Sequence, residues 1–201
     1  MIDKLIELDK ELLIYLNSFH VDWLDPAVLL VTETFFWLPL YLFLLYLIIK
    51  TYGKESWIPL LAIAITIFLT DRITAGLMKP YFARLRPSNE PSLEGLIHLV
   101  RNSKGDFYLG GLYGFASSHA ANTLATATFF WLLFRKTRKW IVWMFPWAIV
   151  MTYTRIYLGV HYPGDILVGG ILGVACGWVG FKIFQKTKEW NDRKKLKQSS
   201  A

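Results

Sequence analysis

Thr154-Arg155-Ile156-Tyr157-Leu158-Gly159-Val160-His161-Tyr162-Pro163-Gly164-Asp165 joins two apolar runs, about 140–158 and 164–185. It puts an arginine, a histidine and an aspartate into one short connection. Pro163 suits the first position of a helix, where its missing N–H would be unpaired in any case. That makes Tyr162 the cap and sets Asp165 at the third helical position, from which a carboxylate can reach back over the helix start as in a capping box. The spacing can therefore bring Asp165 and His161 together. A carboxylate on one ring nitrogen fixes the tautomer and leaves the other nitrogen free to attack. The plainer alternative is that Asp165 only caps the helix. Arg155 stands six residues before His161, across a turn marked by Gly159.

The flanking runs belong to a wider pattern. The chain has 201 residues, enough for one domain over 1–201, and is 54% hydrophobic with 9 Trp and 14 Phe. Its mean hydropathy is +0.36. These values point to an all-α, multi-pass transmembrane helical bundle. Five spans are expected, at about 27–49, 57–78, 117–134, 140–158 and 164–185, since a helix needs roughly 20 residues to cross the hydrocarbon core. The third is short, so its first turn is expected at the interface. Residues 1–22 carry Asp3, Glu7, Asp9 and Glu11, unlike a cleaved signal. Their apolar residues recur at helical spacing, as in an amphipathic helix lying on the membrane surface. The single cysteine, Cys176, excludes an internal disulfide framework and a Cys-based metal site.

The net charge is +7, but the basic residues fall at the ends of apolar runs and in the tail 186–201. Membrane topology explains that pattern better than nucleic-acid binding. Lys50 and Lys54, the run Arg135-Lys136-Thr137-Arg138-Lys139 and the basic tail fall on one side of a five-span chain. The positive-inside rule makes that side cytoplasmic. The N-terminus, the long 88–113 connection and His161 then face outside, as do Lys79 and Arg86, whose positive charge there opposes the rule. Prolines and glycines punctuate 88–113, and Leu93, Leu96, Ile97 and Val100 hint at a short amphipathic helix within it. Such a segment is either a lid or a passive surface loop. Asp71 and Arg72, near the end of the second span, read as a structural ion pair, either with each other or between Asp71 and Lys79; with Glu33 they are the other charges at membrane depth.

Two more clusters lie on the outer side. Lys79-Pro80-Tyr81-Phe82-Ala83-Arg84-Leu85-Arg86-Pro87 ends the second span. Guanidinium groups bind phosphate oxygens as a fork and Lys adds a mobile point charge, although snorkelling cations at a helix end would read the same way. Ala116-Ser117-Ser118-His119 opens the third span. There two hydroxyls and free backbone N–H groups form an anion site. Either serine can equally serve as the cap, and a lone interfacial histidine such as His119 is more often structural than catalytic.

The order and spacing of these segments resemble the three signature motifs of the type 2 phosphatidic acid phosphatase superfamily. The first motif, Lys, six residues, Arg-Pro, is met by Lys79, Arg86 and Pro87. The second, Pro-Ser-Gly-His, reads Ala116-Ser117-Ser118-His119. The third, Ser-Arg, five residues, His, three residues, Asp, is met by Thr154, Arg155, His161 and Asp165. Ala116, Ser118 and Thr154 depart from the pattern in side-chain size and leave every charged position in place.

The resemblance implies a membrane lipid phosphatase working through a phosphohistidine. His161 would be the nucleophile, Asp165 its orienting carboxylate and His119 the general acid. Lys79, Arg86, Ser117, Ser118 and Arg155 would bind phosphate. No metal and no cofactor are expected. The expected partners are the bilayer and a lipid phosphate, with no obligate protein partner evident. Undecaprenyl pyrophosphate, lipid A phosphate and phosphatidylglycerophosphate all fit, at the outer face of a bacterial inner membrane. A non-catalytic phospholipid-binding or transport protein on the same fold is the alternative, and it would leave His119 and the His161–Asp165 pair without a use.

Overall fold

The computed structural model describes residues 2–199. Among them the chain forms helices joined by turns, with two isolated antiparallel bridges, Leu85 with Tyr113 and Arg101 with Phe107. The helices are α1 (Ile2–Asn17), α2 (Asp25–Thr32), α3 (Leu38–Tyr52), α4 (Trp57–Asp71), α5 (Lys79–Phe82), α6 (Ser118–Phe134), α7 (Met144–Tyr157) and α8 (Pro163–Ser199).

Helix occurs at all five expected spans. Three helical stretches, Thr34–Glu55, Trp57–Phe82 and Pro163–Gln198, are long and apolar enough to cross a membrane. α6, with 17 residues, and α7, with 14, are shorter. The first expected span is broken: Glu33 is extended between α2 and a 3₁₀ turn over Thr34–Trp37. Pro39, in the first turn of α3, accounts for the 3₁₀ form of Thr34–Trp37, because it has no N–H to donate to the Phe35 carbonyl and its ring crowds that group. α4 does not stop at Met78. It runs through a π-helical stretch, Arg72–Met78, into α5. Pro80 cannot supply the next α-helical N–H, and the wider π turn carries the chain past it. Asp71 makes no close ion pair with Arg72 or Lys79, although its charge is felt at Lys79; Arg72 lies 5.1 Å over the Phe68 ring.

The basic tail is helical to Ser199, with Glu55 accepting from Asn191 and Lys195 and pairing with Lys188. The long connection contains no α-helix. It makes 3₁₀ turns at Pro87–Asn89 and Pro91–Leu93, then a positive φ of 73° at Gly95. Leu93 and Val100 are buried from this irregular chain, Leu93 beside Leu13 of α1 and Val100 beside Tyr157.

One core joins α3, α4, α6, α7 and α8 through Leu44, Ile48, Ala62, Phe129, Ala148 and Phe184. α6 and α8 approach most closely. Gly169, Gly173 and Gly177 recur every fourth residue, so they share one face of α8. A Cβ on Gly169 or Gly173 would collide with the carbonyl oxygen of Ser117 or Ala121. On Gly177 it would lie 2.6 Å from that of Ala125. Small residues at such spacing let helix backbones touch. At the end of this seam α6 and α8 begin, α7 ends and the α4–α5 stretch arrives.

Candidate active site

Ser117 is the N-cap of α6, and its hydroxyl accepts from the Ala120 N–H at 3.4 Å. The Ser117 N–H donates to the Asp165 carbonyl at 3.0 Å, which ties the starts of α6 and α8 together. Both helix N-termini therefore lie side by side, and their first N–H groups favour an anion. Ser118 Oγ accepts from Lys79 Nζ at 3.0 Å and from Thr74 Oγ1 at 2.8 Å. Ala116, in the proline position of the motif, is completely buried.

Pro163 begins α8, and Asp165 Oδ2 reaches back to accept from the Tyr162 N–H at 3.1 Å and from His161 Nδ1 at 3.2 Å. The other ring nitrogen, Nε2, lies 3.0 Å from Arg86 Nη1. Arginine can only donate, so the geometry assigns the neutral Nδ1–H tautomer with the Nε2 lone pair facing Arg86. Burial first, then Arg86, Arg155 and Lys79, hold the His161 pKa well below its ordinary 6.5. The same three cations that the motifs supply thus surround one neutral imidazole.

Arg155 is held by Thr32 Oγ1 at 2.7 Å and by the Tyr108 hydroxyl at 3.3 Å. Thr154 Oγ1 lies 3.2 Å from Thr32 Oγ1, so the hydroxyl at that motif position supports the same network. His119 has Arg155 and His161 as its electrostatic neighbours. Its Nε2 is buried without a hydrogen-bond partner among the described residues, as are Arg86 Nε and Arg155 Nε. Native proteins leave few buried polar atoms unpaired; among the described residues three of the six such atoms lie on the three motifs, the others being on Arg84, Thr128 and Trp147.

Three contributors were not singled out from the sequence. Arg84 Nη1 bonds Asp165 Oδ1 at 3.1 Å, and its guanidinium lies 3.7 Å over the Tyr162 ring. The backbone from Arg84 to Arg86 is extended and pairs with 112–114, through Arg86 N to Leu112 O and Gly114 N to Arg84 O. Alternate residues on such a chain share a face, so Arg84 meets the aspartate and Arg86 the histidine; the Arg-x-Arg spacing was the available signal. Gly114 is the second. A Cβ there would lie 2.9 Å from Asp165 Oδ2 and 3.6 Å from His161 Nδ1. The third is Asp9 of α1, 2.8 Å from Arg84 Nη1.

From Ser118 and His119 a cavity of about 490 Å³ opens between α3, α4, α6 and α7, lined by Leu44, Ile48, Leu60, Ile63 and Phe130. Elsewhere, ligand atoms of His20, Asp22 and His98 lie within 4.8 Å of one another. The two imidazoles are stacked at 3.9 Å and parallel within 2°, so their lone pairs run side by side and do not converge on one ion. His98 Nε2 is engaged by Asp25 at 2.9 Å.

Comparison with known proteins gives the family of the chain. The sequence profile of the PAP2 superfamily matches residues 55–189. A lipid A 4'-phosphatase of Bacteroides thetaiotaomicron is 36% identical over 189 residues, 92% of this chain and 81% of the relative. One from Porphyromonas gingivalis is 31% identical over 182 residues, 90% of this chain and 74% of the relative. The crystal structure of LpxE from Aquifex aeolicus superposes with a TM-score of 0.59 at 26% identity, covering 87% of this chain and 95% of that one.

Proposed function

We propose a mechanism and a substrate from one premise: this chain belongs to the PAP2 superfamily and is an integral membrane lipid phosphatase. In this reading His161 Nε2 attacks phosphorus in line, forming a P–N bond as the P–O bond to the lipid breaks. Asp165 accepts the Nδ1–H bond and stabilises the ring as it gains charge. His119 gives its proton to the departing oxygen. Water then attacks the phosphohistidine with His119 as base, releasing inorganic phosphate and restoring both histidines. Lys79, Arg86 and Arg155 hold the non-bridging oxygens, with the Ser118 hydroxyl and the first N–H groups of α6. Ser117 contributes by capping that helix start. Preorganised donors of this kind usually supply the largest catalytic term. With three cations at the phosphate, turnover is expected to persist in EDTA.

The observation that carries the reading is the set of buried, unpartnered donors on Arg86, Arg155 and His119 beside a neutral His161. A phosphoryl group supplies the acceptors they lack. The apolar cavity beginning at His119 suits one hydrocarbon chain of the same lipid. From His119 to Phe130 it follows α6 for roughly 16 Å.

The relatives' names make lipid A with a 4'-phosphate the first substrate to test, with undecaprenyl pyrophosphate and phosphatidylglycerophosphate beside it. The single-domain organisation, a surface-lying α1 and a cytoplasmic tail belong to the same proposal. So does an active site facing outward from a bacterial inner membrane, because the basic 135–139 turn lies at the far end of α6 from Ser118. Phosphate release in detergent with EDTA tests the chemistry: wild type releases phosphate from at least one of the three lipids and His161→Ala from none. Silence of the wild type on all three, or full turnover by His161→Ala, overturns it. A reporter fused after Lys139 should read cytoplasmic.

A further inference from the structure

We infer that Asp9 is a positioning residue for the His161–Asp165 pair, acting through Arg84 and through the first turn of α8. The inference rests on the roles proposed above for His161 and Asp165.

Arg84 Nη1 lies 2.8 Å from Asp9 Oδ2 and 3.1 Å from Asp165 Oδ1, so two carboxylates share one guanidinium nitrogen. The second oxygen of Asp9, Oδ1, accepts from the Gly164 N–H at 2.7 Å. Gly164 is the residue before Asp165, and its N–H is one of the donors that a helix start leaves unpaired. A Cβ on Gly164 would lie 2.7 Å from Asp9 Oδ2, so the contact depends on glycine there. Asp9 therefore touches both groups that hold Asp165 in place: the cation on its carboxylate and the backbone beside it.

Charge gives the arrangement its purpose. Asp165 alone would neutralise Arg84, and a neutralised carboxylate polarises an imidazole less. With Asp9 present the guanidinium is divided between two anions, and Asp165 keeps negative charge for the His161 Nδ1–H. Only 14% of the Asp9 side chain is exposed, so solvent screens the cluster weakly. α1 is held in register for this contact. Lys10 Nζ donates to Ser92 Oγ at 2.9 Å, and Asn17 Nδ2 donates to the carbonyls of Ile156 and Tyr157 at 3.0 and 2.9 Å.

The test uses the full-length enzyme in detergent and whichever of the three lipids above the wild type turns over fastest. Asp9→Asn keeps an acceptor for Gly164 and removes the charge. It should lower kcat about ten-fold with KM changed less than about two-fold, because misplacement around the reacting groups is felt in the chemical step. Arg84→Lys should also lower kcat. The double variant should match Arg84→Lys within about two-fold, since residues acting through one partner are not additive. If Asp9→Asn does not fold, Asp9→Ser carries the same expectation. A residue that merely anchors α1 would lower the melting temperature, leave kcat per folded molecule unchanged and multiply with Arg84→Lys; wild-type kcat or multiplying penalties overturn the inference. An active wild type and a dead His161→Ala, with Asp9→Asn at wild-type kcat, sink this inference alone. An inactive wild type, or an active His161→Ala, removes the site reading and this inference with it.

Discussion

Arg86 Nη1 and His161 Nε2 stand 3.0 Å apart, cation donating to lone pair. Arg86 is thus bonded to the atom proposed to attack phosphorus, and an arriving phosphoryl group must take the guanidinium for itself, which frees Nε2 in the same movement. Arg86→Lys keeps the charge and loses the fork. It should lower kcat/KM for phosphate release by about 10²–10³, the usual loss for one preorganised donor. A loss under about three-fold would remove Arg86 from the phosphate site.

Stability should depend on pH through His161. Its folded pKa is depressed by burial and by the three cations, so below its ordinary 6.5 the unfolded chain binds a proton that the folded chain refuses. The contribution is complete above 6.5 and is lost as pH falls from there toward the folded value. Detergent-solubilised wild type should lose melting temperature between about pH 7 and about pH 5 more steeply than His161→Gln. Parallel slopes would show that His161 titrates normally in the folded protein.

Gly114→Ala tests the packing behind the pair. The added methyl would sit 2.9 Å from Asp165 Oδ2, and its immediate neighbours include His161 Nδ1. The expected result is a kcat loss of about ten- to a hundred-fold with destabilisation of about 1–3 kcal/mol. Gly111→Ala is the control, because a Cβ there meets nothing within 4 Å.

Gly173→Ala tests the seam between α6 and α8. Its methyl meets the Ala121 carbonyl, a backbone atom that cannot rotate away. Overpacking of this kind should cost about 1–3 kcal/mol or more, read as a lower melting temperature. An unchanged midpoint would mean the two helices separate easily.

The parts of this site legible in sequence are those built within one turn. Pro163 starting a helix puts Asp165 over Tyr162 and His161, and a serine ahead of an apolar run caps it. Local backbone geometry decides such contacts. Arg84 reads from the sequence only as one more cation of the first cluster, and Gly114 and Asp9 carry no sign of a site role, because these roles exist only between segments that the fold brings together. Asp9 counted merely as an acidic residue in an unlikely signal peptide. The 88–113 segment misled for a related reason. Its apolar residues follow a helical rhythm, but Pro91 and Gly95 hold the backbone irregular while Leu93 and Val100 are buried individually against α1 and α7. The 3₁₀ turn at Thr34–Trp37 was legible in Pro39, which cannot donate to the Phe35 carbonyl; the break at Glu33 had no such local signal.

The glycine face of α8 also decides which part of the molecule can yield. With Gly169 and Gly173 pressed on the carbonyls of Ser117 and Ala121, the helices carrying Asp165 and His119 cannot slide or part without breaking backbone contact. They are a fixed frame. The opposite wall of the cavity is made of long, rotatable side chains, Leu44 and Ile48 from α3 and Leu60 and Ile63 from α4. Of these, Leu44 and Ile48 are packed into the core, while Leu60 and Ile63 are only partly buried and have more room to rotate. The candidate site is therefore held on a rigid frame and faced across the cavity by a wall with freedom only at its α4 side chains, so bulkier substitutions at Leu60 or Ile63 should reshape the cavity while leaving the frame in place.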